Sequence, residues 1–165
     1  MYRTIADFIA DWGEETEMTL LVFRALTEDA LDQSVGPGGR TLGRLAWHIT
    51  QSIPEMMKTA GLPVAGPEED APRPPLKEIL LQYEASAKAL AWTLPEGWTD
   101  AMLAEEVPMY GERWSRGKVL SVLIRHQTHH RAQMTVLMRQ AGLKVPGVYG
   151  PAKEEWAAMG MPPQE

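Results

Sequence analysis

Residues Arg116–Gln140, RGKVLSVLIRHQTHHRAQMTVLMRQ, decide how this chain is read. Apolar side chains recur at helical intervals. Ser115 is available as an N-cap and Gly142 follows as a C-terminal stop, so the pattern predicts one long amphipathic helix. At about 100° per residue, Val119, Leu123, His126, His130, Gln133, Leu137 and Ala141 share one stripe. His126 and His130 therefore project from the same face one turn apart, which is metal-ligand spacing. The stripe places both imidazoles beside the core, where a polar ring needs a partner. His129 falls on the flank and is the weaker candidate ligand.

A third histidine lies on another helical pattern, Thr41–Ala60, whose apolar side carries Leu42, Leu45, Ile49, Ile53 and Met56. His48 sits at the edge of that side, where a residue can point along the seam between two packed helices. Three neutral imidazoles with an open fourth position describe a catalytic rather than a structural metal site.

Outward from these two segments the chain continues to read as helix. Ile5, Phe8, Ile9, Trp12, Leu20 and Phe23 give a first helix over Thr4–Leu26, with Thr4 as N-cap. The glycine-rich run at 32–39 separates it from the second helix, in which Pro54 is expected to produce a kink or an end. Residues 61–75 are acidic and proline-rich and suit a crossover or a lid. Leu76–Leu94 forms a third helix, stopped by Pro95. The stretch 101–114 lacks a helical pattern and reads as extended. Beyond Lys144, Tyr149, Trp156 and a short helical segment Ala152–Met159 imply a tail packed on the domain or on a second subunit. The expected fold is all-α: a four-helix bundle with a long crossover connection and a short C-terminal helix, forming a single domain over 1–165.

Composition narrows the chemistry. At 165 residues and 44% hydrophobic, the chain has enough apolar material for one ample core. It contains no cysteine, which excludes disulfides, thiolate metal sites and a cysteine nucleophile, so any metal is held by nitrogen and oxygen. A formal charge of −6 argues against a nucleic-acid platform. No basic, then apolar, N-terminal leader and no membrane-length apolar run is present, and a cytoplasmic protein without membrane partners is expected.

Arg40-Thr41-Leu42-Gly43-Arg44-Leu45-Ala46-Trp47-His48-Ile49, together with His126-Gln127-Thr128-His129-His130-Arg131-Ala132-Gln133, resembles the DinB-like (YfiT-like) family of metalloenzymes. The run Arg139–Pro151 resembles the family's C-terminal part. The resemblance implies a four-helix bundle, commonly dimeric, whose metal triad falls on His48, His126 and His130. It also implies a divalent ion such as zinc or nickel and, in some relatives, transfer chemistry using a low-molecular-weight thiol such as bacillithiol or mycothiol. One departure is Gln127, where many members carry an acid directly after the first histidine of this motif; a general base at that position is therefore in doubt.

These readings lead to a metal-dependent thiol S-transferase or hydrolase acting on a small molecule, with water or thiolate on the metal as nucleophile. Gln133 is expected to hydrogen-bond a ligand imidazole or a metal-bound water. Trp47 and Arg131 are candidates for contacting substrate, and a homodimer is expected. The alternative is a non-catalytic stress-response protein whose metal braces the bundle, its coordination closed by Glu55 or another protein group.

Overall fold

In the computed structural model, residues 1–162 are described, so the last three residues of the expected 1–165 domain lie outside the described region. Side chains fix where three of the four helices begin. Thr4 accepts the Asp7 N–H at 3.1 Å to start α1, Ile5–Arg24. Thr41 accepts the Arg44 N–H at 3.1 Å to start α2, Leu42–Thr59. Ser115 accepts the Lys118 N–H at 3.2 Å to start α4, Arg116–Gln140. Each bond satisfies a donor that has no partner inside the helix. α3, Leu76–Gly97, follows Pro75 instead, and its Leu76 N–H is taken by the Glu28 carboxylate at 2.8 Å.

At the far end of α4, Gly142 adopts φ 73°, and the Leu143 and Gly142 N–H groups return to the carbonyls of Met138 and Arg139 at 2.9 and 3.0 Å. This is a Schellman closure, which needs a left-handed residue and is accessible to glycine at little cost.

Neither Pro54 nor Pro95 ends its helix. α2 runs through Pro54 without a break, because the buried ring packs closely against Gly66 of the connection and this packing outweighs one missing backbone bond. α3 continues past Pro95 to Gly97, where the Trp98 N–H closes the last turn on Leu94 O at 2.9 Å.

The helices enclose one layer of apolar side chains, including Phe8, Phe23, Ile49, Ile53, Leu90 and Leu120. α2 and α1 each pack on both α3 and α4. Trp12 stacks on Phe8 with ring centroids 5.7 Å apart and donates its indole N–H to Ala87 O at 3.1 Å, joining α1 to α3. The most buried stripe of α4 passes through Leu120, Leu123, Gln127, Arg131 and Met134, so its centre is shifted from the stripe inferred from the sequence. His126 lies at the margin of that stripe and His130 within it.

The four helices fit the expected bundle, to which the stretch read as extended adds a small two-stranded sheet. β1, Glu106–Met109, pairs antiparallel with β2, Glu112–Ser115, with Val107 opposite Trp114. Val107 and Met109 point inward while Glu106 and Pro108 remain exposed, the alternation of a half-buried strand. The connecting residues, Tyr110 and Gly111, have φ 50° and 83°, as a tight hairpin turn compatible with strand twist requires.

The connection after α2 is tied down. Trp47 donates to Ala71 O at 2.9 Å, and Gln51 donates to the carbonyls of Glu68 and Glu69, both at 2.8 Å. The tail returns to the bundle through Tyr149, whose hydroxyl donates to Glu15 at 2.5 Å. Its expected Ala152–Met159 helix is reduced to a 3₁₀ turn at Trp156–Met159, because the Glu155 carboxylate accepts the N–H groups of Gly147 and Ala152 and folds the segment on itself. Among the described residues no helix is long and apolar enough to cross a membrane.

Candidate metal centre

The seam between α2 and α4 brings the three histidines together. His48 Nε2 lies 3.2 Å from His126 Nε2, and His130 Nε2 lies 3.1 Å from the same atom. Ligands about 2.05 Å from a tetrahedral ion are separated by roughly 3.3 Å, so the spacing suits a shared cation. Among the described residues, this is the one group of three or more His, Asp or Glu side chains that could hold a metal ion, and no carboxylate joins it.

Hydrogen bonding supports the donor set. Gln133 Oε1 faces His130 Nδ1 at 2.8 Å; because an amide oxygen only accepts, Nδ1 carries the proton and Nε2 presents a lone pair. His126 Nδ1 is buried without a protein partner, so no protein group fixes that ring's tautomer. A single imidazole proton on His126 Nε2 could satisfy only one of its two short contacts, whereas a cation accepts lone pairs from all three rings. Ser52 Oγ donates to His48 O at 2.7 Å and secures the backbone of α2 at the ligand.

Electrostatics keep the cluster ready. Burial first, then repulsion from His126 and His130, pushes His48 down to about 4. Burial and the neighbouring histidines push His126 down to about 4 as well, and burial lowers His130 against the opposing effect of Gln133. All three are neutral at pH 7, the form that ligates metal.

A cavity of about 360 Å³ opens beside His48 and His126, walled by Ser52, Glu55, Tyr110 and Trp114 among others. The Tyr110 hydroxyl donates to Glu55, with Oε2 at 2.8 Å, and its ring meets Trp114 edge to face at 5.7 Å. Burial and the adjacent Glu55 carboxylate raise the pKa of Tyr110 well above the usual phenol value.

Other candidates occupy different positions. Gln133 lies at the cluster, as above. Trp47 is buried under the connection and lines none of the cavities at the histidines. Arg131 is also directed away from the cluster: its guanidinium donates to Glu15 O at 3.1 Å, to Thr19 Oγ1 at 3.0 Å, to Glu15 Oε2 at 2.7 Å and to Tyr149 OH. Gln127 accepts from the Tyr83 hydroxyl at 2.7 Å inside the bundle. His129 is exposed, with its ring centroid 4.9 Å from that of His130, and does not join the convergent nitrogens. The sequence pattern does not mark Ser52 or Tyr110 as site residues. Ser52 and Glu55 follow His48 at i+4 and i+7, a shared helix face that was available as a signal. Tyr110 sits at a hairpin tip with no helical register to reveal it.

A helical bundle with three inward imidazoles on two facing helices, and room beside them, defines a class of candidate metal-binding proteins. The chain belongs to the DinB family, whose model matches residues 1–165. It is 41% identical over 162 residues to the uncharacterized protein YrdA of Bacillus subtilis strain 168, covering 98% of this chain and 97% of that protein. The crystal structure of a DinB-like protein from Bacillus cereus ATCC 10987 is similar at TM-score 0.82 and 44% identity, covering 90% of this chain and all of that one. The DinB-like protein YjoA of Bacillus subtilis, at 16% identity and TM-score 0.67 over 86% of this chain and 96% of its own, shares the fold.

Proposed function

We propose that this chain is a divalent-metal-dependent enzyme acting on a small molecule, a thiol S-transferase or a hydrolase, with His48, His126 and His130 as the metal ligands. The observation that carries the reading is the convergence of three Nε2 atoms with no carboxylate in the group, beside a cavity. A structural brace would close the coordination sphere with a protein group; Glu55 is instead engaged by Tyr110 in the cavity wall. Zinc or nickel fits an all-imidazole donor set. Such an ion, when bound, lowers the pKa of a thiol or water at its open position and supplies a nucleophile at neutral pH.

The protein's own residues prepare that chemistry. The neutral histidines offer lone pairs without first losing protons, and Gln133 orients the His130 ring. Glu55, held by the Tyr110 hydroxyl, faces the cavity as an acceptor for the proton of an entering thiol or water. The DinB family resemblance favours thiol transfer over hydrolysis, and because the chain has no cysteine the sulfur would come from a thiol cosubstrate. The discriminating experiment incubates zinc- and nickel-loaded protein with a low-molecular-weight thiol and 1-chloro-2,4-dinitrobenzene, and separately with a p-nitrophenyl ester. Metal-dependent thioether formation that His126→Ala abolishes supports transfer, and ester cleavage alone supports hydrolysis. Activity in neither assay, under either metal, counts against the enzyme reading.

A further inference from the structure

A second cavity adjoins the cluster at His130. Its volume is about 420 Å³, within the range of small-molecule sites, and it shares no lining residue with the cavity that holds Glu55 and Tyr110. Val35, Leu45, Val136 and Leu137 supply apolar walls. Its polar groups include Gln133 and Arg40, and no acidic residue lines it. The Glu55 cavity, by contrast, also contains Glu69. The two sides of the histidine cluster therefore differ in charge.

Arg40 is exposed, and among the described residues its guanidinium has no ion-pair or hydrogen-bond partner. Its neighbours are engaged: Arg44 bonds Gln51 at 3.0 Å, and Arg73 pairs with Asp32 at 3.3 Å. The start of α2 does not offer an alternative anion site. The Leu42 and Gly43 N–H groups are taken by Gln33 O and Leu31 O at 2.9 and 2.8 Å, and Thr41 takes that of Arg44.

We propose that this cavity binds a small carboxylate with an apolar body, its carboxylate paired with Arg40 and its body against Val35, Leu45, Val136 and Leu137, beside His130. The proposal rests on the reading of the histidines as the reaction centre and names the substrate class on one side of it. A guanidinium matches a carboxylate with two parallel N–H donors, and an apolar wall without acids favours an anion whose remainder is hydrophobic.

Hexanoate and its uncharged isostere hexanamide test this, titrated into zinc-loaded protein and followed by methyl NMR, with zinc content measured on every sample. The expected result is that hexanoate shifts the Val35, Leu45, Val136 and Leu137 methyls and binds at least ~10-fold more tightly than hexanamide. Arg40→Gln should remove that advantage at unchanged zinc content, and Arg40→Lys should restore part of it. Equal binding of the two probes, no binding, or a hexanoate preference that survives Arg40→Gln because the carboxylate sits on the ion, would each overturn the assignment. Zinc content reports separately: a sample that takes up no zinc yet keeps the Arg40-dependent preference counts against the metal reading and leaves the cavity standing.

Discussion

His130 shows how one side chain can prepare a ligand. Gln133, three residues later on the same helix, accepts from Nδ1 and leaves Nε2 facing the other two rings. Replacing Gln133 by Leu is expected to weaken zinc affinity by roughly 10- to 100-fold without unfolding the exposed helix face, measured by competition with a chromophoric chelator. The depressed histidine pKa values also set a direction for pH. The unfolded rings titrate near their usual 6.5, whereas the folded rings of His48 and His126 titrate near 4. Between those values the unfolded chain binds more protons, so metal-free protein should lose stability as pH falls from 6.5 toward 4. Thermal melts in chelator should show a smaller loss over this window for a His48→Ala, His126→Ala double variant; an identical pH dependence would contradict the assigned shifts. His126 and His130 were legible because i, i+4 spacing is a property of any helix. Arg131 was not, because only the assembled bundle shows a guanidinium surrounded by Glu15, Thr19 and Tyr149.

At the scale of elements, caps and periodicity accounted for the helices, and packing accounted for the departures. Thr4, Thr41 and Ser115 act as the caps that the sequence suggested, whereas Pro54 and Pro95 are absorbed by their helices because tertiary contacts outweigh a single lost bond. Ser115→Ala should lower stability by about 1 kcal/mol, read from a denaturant midpoint. The hairpin was legible only as a stretch without helical pattern, since strands this short carry a weak signal and Tyr is not a typical residue at positive φ. The connection over 61–75 has few apolar anchors of its own, and Gln51 supplies several of its hydrogen bonds from α2. Gln51→Leu should expose that connection to protease cleavage at concentrations that leave the wild type intact, with little change in global unfolding.

For the molecule as a whole, Arg131 links α4, α1 and the tail. It is 2% exposed and bonded to a Glu15 that is itself largely buried. Arg131→Met leaves that carboxylate without its cation and should cost about 3–5 kcal/mol in urea unfolding; a loss below about 1 kcal/mol would mean that the network contributes little. The homodimer expected from the family resemblance should appear by light scattering at twice the 18.4 kDa chain mass. The central claim is the metal triad, and elemental analysis with metal titration of wild type, His48→Ala, His126→Ala, His130→Ala and His129→Ala tests it most directly. The account predicts about one zinc or nickel per chain for wild type and His129→Ala, with loss of binding in the other three. Equal binding by all five proteins, or binding by none with any divalent ion, would contradict it.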